Sequence, residues 1–132
     1  RDYTEDEIKD LINIVKNKAK GSYYTAISFY GLGGAIKNID KTSSAFYYRD
    51  AKFIMGIQSV FEEDEYKKEN IEWVKENFKH IEKITKGSFV NFPFSDLSDY
   101  EKEYYGDNYK RLRDVRKKYD PLNIFSFEQG IK

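Results

Sequence analysis

Tyr104-Tyr105-Gly106-Asp107-Asn108-Tyr109-Lys110-Arg111-Leu112-Arg113-Asp114-Val115-Arg116-Lys117-Lys118-Tyr119-Asp120-Pro121-Leu122-Asn123-Ile124-Phe125-Ser126-Phe127-Glu128-Gln129-Gly130-Ile131 divides into three parts. Tyr105, Gly106 and Asp107 make a turn-like approach, with an acid where the positive end of a following helix favours negative charge. Asn108 to Lys118 is predicted to be that helix. Leu112, Val115 and Tyr119 recur at helical spacing on one face, and Arg111, Arg113, Arg116, Lys117 and Lys118 fall mostly elsewhere. Asp120-Pro121 stops it, because a residue before proline is driven out of helical geometry and the ring cannot extend the ladder. Asn123 to Ile131 then reads as an extended tail, with Ile124, Ser126, Glu128 and Gly130 on one parity and Phe125, Phe127 and Gln129 on the other.

Around this stretch the chain is 132 residues long, which points to one compact domain over 1–132. A chain of that size buries roughly two-thirds of its unfolded surface, enough for a core. Aromatics make up 17% of it, a share that suits either a core poor in aliphatics or a surface facing a flat ring system. Lys plus Arg equals Asp plus Glu at 23 each, so no global field draws in nucleic acid or an anionic membrane. Cysteine is absent, which removes disulfides, thiolate metal sites and thiol nucleophiles from this chain and fits a cytoplasmic location. No apolar run approaches the ~20 residues of a membrane span, so a soluble protein is expected. The first residue is Arg1 rather than Met, which suggests a processed product or a piece of something longer.

The order tyrosine-tyrosine-glycine-x-asparagine-tyrosine, a basic helix, K-Y-D-P-x-N-x-F and a closing F-x-Q-x-I resembles the C-terminal signature of the berberine bridge enzyme-like family of FAD-linked oxidoreductases, here over residues 85–132. The resemblance implies that the chain is the C-terminal part of a substrate-binding domain. FAD would be the cofactor, the N-terminal FAD-binding domain of the same protein the main partner, and a small molecule the substrate, giving up hydride to the flavin.

Thr4-Glu5-Asp6-Glu7 has the capping-box pattern and predicts a helix start, followed by the stripe Ile8, Leu11, Ile12 and Val15, with Gly21 as the stop. Ser22 to Tyr30 alternates with aromatics on both parities, as in a strand covered by helices on one face and by a ligand, another domain or further core on the other. Gly31-Leu32-Gly33-Gly34-Ala35 fails the dinucleotide spacing at Ile36 and is not followed by a helical stripe, so a turn or bulge is expected. Lys52 to Phe61 is a second strand. Within it Gln58 is either an amide meeting substrate or flavin or an edge residue facing solvent.

Glu62-Glu63-Asp64-Glu65 sits at the positive end of a long predicted helix, roughly Glu65 to Ile84, with Tyr66, Ile71, Trp73, Val74, Phe78, Ile81 and Ile84 as its buried positions. No metal site is expected, since the acids lack a turn that would converge them and His80 is alone. Ser88 to Phe92 reads as a third short strand ended by Pro93. The expected fold is α+β, an antiparallel sheet of about three long strands with helices on one face, a C-terminal helix and an extended tail. The uncovered aromatic face predicts self-association of the fragment.

The resemblance places the chemistry at Ser88 to Phe92. In the family the equivalent strand commonly reads tyrosine-x-asparagine-tyrosine, and its last tyrosine serves as or assists the base that deprotonates the substrate hydroxyl. This chain reads Phe89-Val90-Asn91-Phe92. Phe92 can neither accept nor donate a proton and is expected to be a packing wall for substrate. The base is left open: Tyr47 or Tyr48 takes the role, the substrate needs none, or the reaction differs. Asn91, Tyr105 and Asn108 are the expected cofactor contacts, and Phe92 and Gln58 the expected substrate contacts. Six cations in nine residues from Lys110 to Lys118 read as a solvated helix face rather than a phosphate-binding one in a neutral chain. The alternative to an enzyme fragment is a non-catalytic stand-alone binding or interaction module that keeps the fold.

Overall fold

The computed structural model describes residues 2–132. In chain order its elements are α1 (Glu5–Lys16), β1 (Ser22–Gly31), β2 (Phe53–Phe61), α2 (Lys67–Ile84), α3 (Tyr100–Tyr105) and α4 (Tyr109–Tyr119), with short 3-10 turns at Gly34–Ile36, Asp64–Tyr66 and Gly106–Asn108. The class is α+β. Contacts gather into two compact units, one of Arg1–Tyr30 with Met55–Thr85 and one of Gly31–Ile54 with Lys86–Lys132. The boundaries fall within the two strands.

In the first unit α1 opens on the predicted capping box. Thr4 N–H donates to Glu7 Oε2 at 2.8 Å and Glu7 N–H to Thr4 Oγ1 at 3.2 Å. It stops at Asn17, before Gly21, where the backbone leaves helical geometry at φ −94, ψ 63 and the Asn17 amide side chain bonds to the Asn13 carbonyl. The strands are antiparallel, with Leu32 N–H on Lys52 C=O and Gly56 against Ser28 in the same register. One face meets the helices: Thr25 Oγ1 donates to Val15 C=O of α1, and Ser59 Oγ donates to Asn70 Oδ1 of α2 at 2.6 Å. Asn70, 1% exposed, also donates to Lys20 C=O and Tyr66 C=O. The buried centre of α2 is therefore Asn70 with Ile81, and the expected core position Ile71 is 41% exposed.

The second unit departs further from expectation. Among the described residues the sheet has two strands, not three. Ser88 to Phe92 is a turn: Phe92 N–H bonds to Phe89 C=O at 2.9 Å, and Ser88 N–H to Glu103 C=O at 3.0 Å. Gly87 and Pro93 punctuate both ends, and the run finds no strand partner for its ladder groups. The stretch before Asp107 is not a simple turn, since α3 occupies Tyr100–Tyr105 and ends at Gly106 with φ +51. A Cβ there would lie inside the Tyr47 ring, so only glycine suits both the backbone and the packing.

α4 ends at Tyr119 as Pro121 requires. Beyond it the tail turns instead of extending. Asp120 accepts from Ile124 N–H and Phe125 N–H, Asn123 has φ +55, and Gly130 N–H returns to Phe127 C=O. Strand parity fails accordingly: Ile124 and Phe125 are both exposed, while the adjacent Gln129 and Gly130 are both buried. No helix among the described residues is long and apolar enough to cross a membrane.

Candidate functional site

Alternation along a strand sends odd and even residues to opposite faces. Because Thr25 and Ser59 face the helices, the other face of the ribbon carries Tyr24, Ser28, Tyr30, Gly56 and Gln58. It is partly open: Tyr24 is 44% and Tyr30 49% exposed, while Ser28 and Gly56 are half-buried. Gln58 lies here, exposed on one of the two edge strands, and its Nε2 donates to the Tyr24 phenol oxygen at 3.1 Å. That leaves the Gln58 carbonyl and the Tyr24 proton for a ligand laid on a flat, half-aromatic surface.

In the second unit Phe92 is 53% exposed at the end of an aromatic run. Its ring stands edge-on to Phe89 at 5.5 Å, and Phe89 stands edge-on to Phe46 at 5.9 Å. Asn91 is exposed, and its amide has no partner among the described residues, so its hydrogen-bonding capacity is open to a ligand. Asn108 is the opposite case. It is 5% exposed, and its Nδ2 donates to Lys41 C=O at 2.6 Å and Ser44 C=O at 3.1 Å, holding the 41–44 loop. Tyr105 is buried, stacked on Tyr109 at 6.0 Å and edge-on to Tyr104, and burial pushes its phenol pKa up.

Tyr47 and Tyr48 are side by side and differently engaged. Tyr47 OH donates to Asp107 Oδ2 at 3.0 Å, and that hydrogen bond to a carboxylate raises its pKa. Its ring borders a shallow depression whose lining includes Lys41, Asp50 and Asp107. Tyr48 OH donates to Glu103 C=O at 2.7 Å and packs on Gly87, and burial, then Glu103, lifts its pKa to about 12. Both shifts hold the phenol protonated, which opposes a phenolate base. No group of three His, Cys, Asp or Glu among the described residues could hold a metal.

Two buried side chains were not expected as site residues. Tyr104, 2% exposed, accepts Phe94 N–H at 3.1 Å and donates to Gln129 Oε1 at 2.7 Å; Gln129 Nε2 returns to Phe94 C=O at 2.8 Å. Both stand in the C-terminal signature, but nothing in local spacing pairs them with Phe94.

The profile for "Berberine and berberine like" proteins matches residues 88–132. An uncharacterised FAD-linked oxidoreductase of Bacillus subtilis (strain 168), YgaK, is 37% identical over 100 residues, covering 76% of this chain and 22% of that protein. A second from the same organism, YvdP, is 31% identical over 132 residues, covering 98% of this chain and 29% of that protein. This chain belongs to the berberine bridge enzyme-like family of FAD-linked oxidoreductases. It spans less than a third of the length of these relatives. The crystal structure of aclacinomycin oxidoreductase shares the fold with a TM-score of 0.89 at 21% identity, over 100% of this chain and 30% of that one.

FAD would offer a flat ring and a charged pyrophosphate, which need different surroundings. The open Tyr24–Gln58 face can meet a planar ring or a substrate lying on one. The glycine cluster cannot cradle phosphates, because only a three-residue 3-10 turn, Gly34–Ile36, follows it and no helix N-terminus is presented there.

Proposed function

We propose that this chain is the C-terminal part of the substrate-binding domain of an FAD-dependent oxidoreductase, where it forms a substrate-pocket wall and part of the flavin environment. The observation that carries this is the open ribbon face with its Gln58–Tyr24 pair, uncovered on the side away from α1 and α2. The remainder of the same polypeptide, including its FAD-binding domain, is the partner, and a small molecule is the substrate. Bound FAD supplies the hydride acceptor. Gln58 orients substrate or flavin through its free carbonyl, Asn91 does so through its free amide, and Phe92 excludes water with its ring. Tyr105 and Asn108 contribute to the flavin surroundings from behind, by holding the 41–44 loop and the α3–α4 corner. Where the substrate must lose a proton, Tyr47 is the better placed of the two tyrosines, because its phenol proton already points at the Asp107 carboxylate, which can receive it as the phenol oxygen takes the substrate's.

A non-catalytic binding module is the second reading, favoured by Phe92 standing where the family has a phenol. Production of the full reading frame separates the two. The enzyme reading expects a yellow protein whose flavin absorbance responds to Gln58→Ala. A product that purifies colourless and stays so after FAD is added leaves only the module.

A further inference from the structure

Tyr104, Gln129 and the backbone of Phe94 form a closed ring of hydrogen bonds. Phe94 N–H reaches the Tyr104 oxygen, the Tyr104 proton reaches Gln129 Oε1, and Gln129 Nε2 returns to the Phe94 carbonyl, with longer contacts of 3.4 Å to Ser95 C=O and 3.5 Å to Leu97 C=O. Both side chains are buried, so the ring is shielded from competing water. It grips the chain two residues after Phe92, with Pro93 between. On the other side Ser88 is held to Glu103 C=O, the carbonyl that also accepts from Tyr48. Between these two anchors, both provided through α3, lie the exposed residues Asn91 and Phe92, with Phe92 N–H on Phe89 C=O and the Phe92 ring edge-on to Phe89.

We infer that Tyr104 and Gln129 are positioning residues for the Asn91–Phe92 wall. They fix where the free Asn91 amide and the Phe92 ring stand without touching a ligand themselves. A glutamine is suited to this because it offers an acceptor and two donors on one planar group, so one side chain can receive the phenol proton and return to the carbonyl of the same residue. The consequence for substrate rests on the proposed function; the ring of hydrogen bonds does not.

The test is hydrogen exchange on the full-length protein, read at the amides of Phe92, Phe94 and Leu97. Tyr104→Phe and Gln129→Leu should each raise exchange at these amides about five- to tenfold, the loss of roughly one net hydrogen bond seen as local opening. Amides of α4 should keep their rates. Because both changes open one ring, the double variant should exceed neither single variant appreciably. Unchanged loop exchange, a parallel rise throughout α4, or additive effects would each overturn the assignment, and if one variant does not accumulate the other decides. Phe92→Trp tests the functional reading separately. If its emission is not quenched when FAD is bound, the loop does not face the flavin, while the exchange result stands.

Discussion

Asn108 is the residue at which a structural role and a cofactor role predict opposite experiments. Its amide gives both protons to backbone carbonyls, at 2.6 Å to Lys41 and 3.1 Å to Ser44, from a site 5% exposed. Asn108→Ala removes both bonds. At about 0.5–1.5 kcal/mol net each, the expected loss is roughly 2 kcal/mol, toward the upper end of the range if either carbonyl stays dry. With a urea slope of about 1–3 kcal/mol per molar, the unfolding midpoint should fall by ~1 M. Asn108→Asp keeps the shape but turns an acceptor toward two carbonyls and should cost at least as much. The decisive condition is the flavin-free protein, followed by urea unfolding with far-UV circular dichroism. A residue that served FAD directly would leave flavin-free stability untouched and weaken only flavin retention. A midpoint shift too small to measure in the flavin-free protein, together with loss of flavin, would therefore refute the loop-holding role.

Tyr48, whose pKa rises from the usual 10.0 to about 12 in the fold, makes stability pH-dependent at the alkaline end. The unfolded chain releases this proton first, so the contribution is intact below pH 10 and is lost as pH climbs toward 12. Tyr48→Phe should flatten that limb of a pH–stability curve, and an unchanged limb would count against it. Gly106→Ala should be poorly tolerated, because φ is +51 and the new methyl would enter the Tyr47 ring; thermal melting should show a loss well beyond the roughly 1 kcal/mol of a typical surface glycine replacement. The isolated 132-residue chain should self-associate, since Tyr30, Leu122, Ile124, Phe125 and Phe127 are all about half exposed or more. Sedimentation showing a monomer at high concentration would argue against that.

Much of the secondary structure was legible because its causes are local. The capping box at Thr4 satisfies amides three residues away, and the proline at 121 acts on the residue before it. Alternation in Ser22 to Tyr30 and Lys52 to Phe61 likewise reports a pleat that each strand carries by itself. Ser88 to Phe92 failed as a strand for the complementary reason. A strand needs a neighbour for its ladder groups, and Phe89-Val90 advertises β-propensity without supplying one. The short helix Tyr100–Tyr105 was missed because six residues make fewer than two turns, too few for a periodic signature, and its stability comes from the burial of Tyr104 and Tyr105.

By itself, the sequence determined the two long strands and the long helices, which follow from residue types and near spacing, and its C-terminal signature carried the resemblance to the family. Tertiary structure alone decided which amides are free. Asn91, Asn108 and Gln129 carry the same group, yet Asn91 faces outward while Asn108 bonds to carbonyls 67 and 64 positions away and Gln129 to one 35 positions away. Side-chain chemistry sets how many hydrogen bonds an amide can make. Only the path of the whole chain sets whether a backbone carbonyl or a ligand receives them.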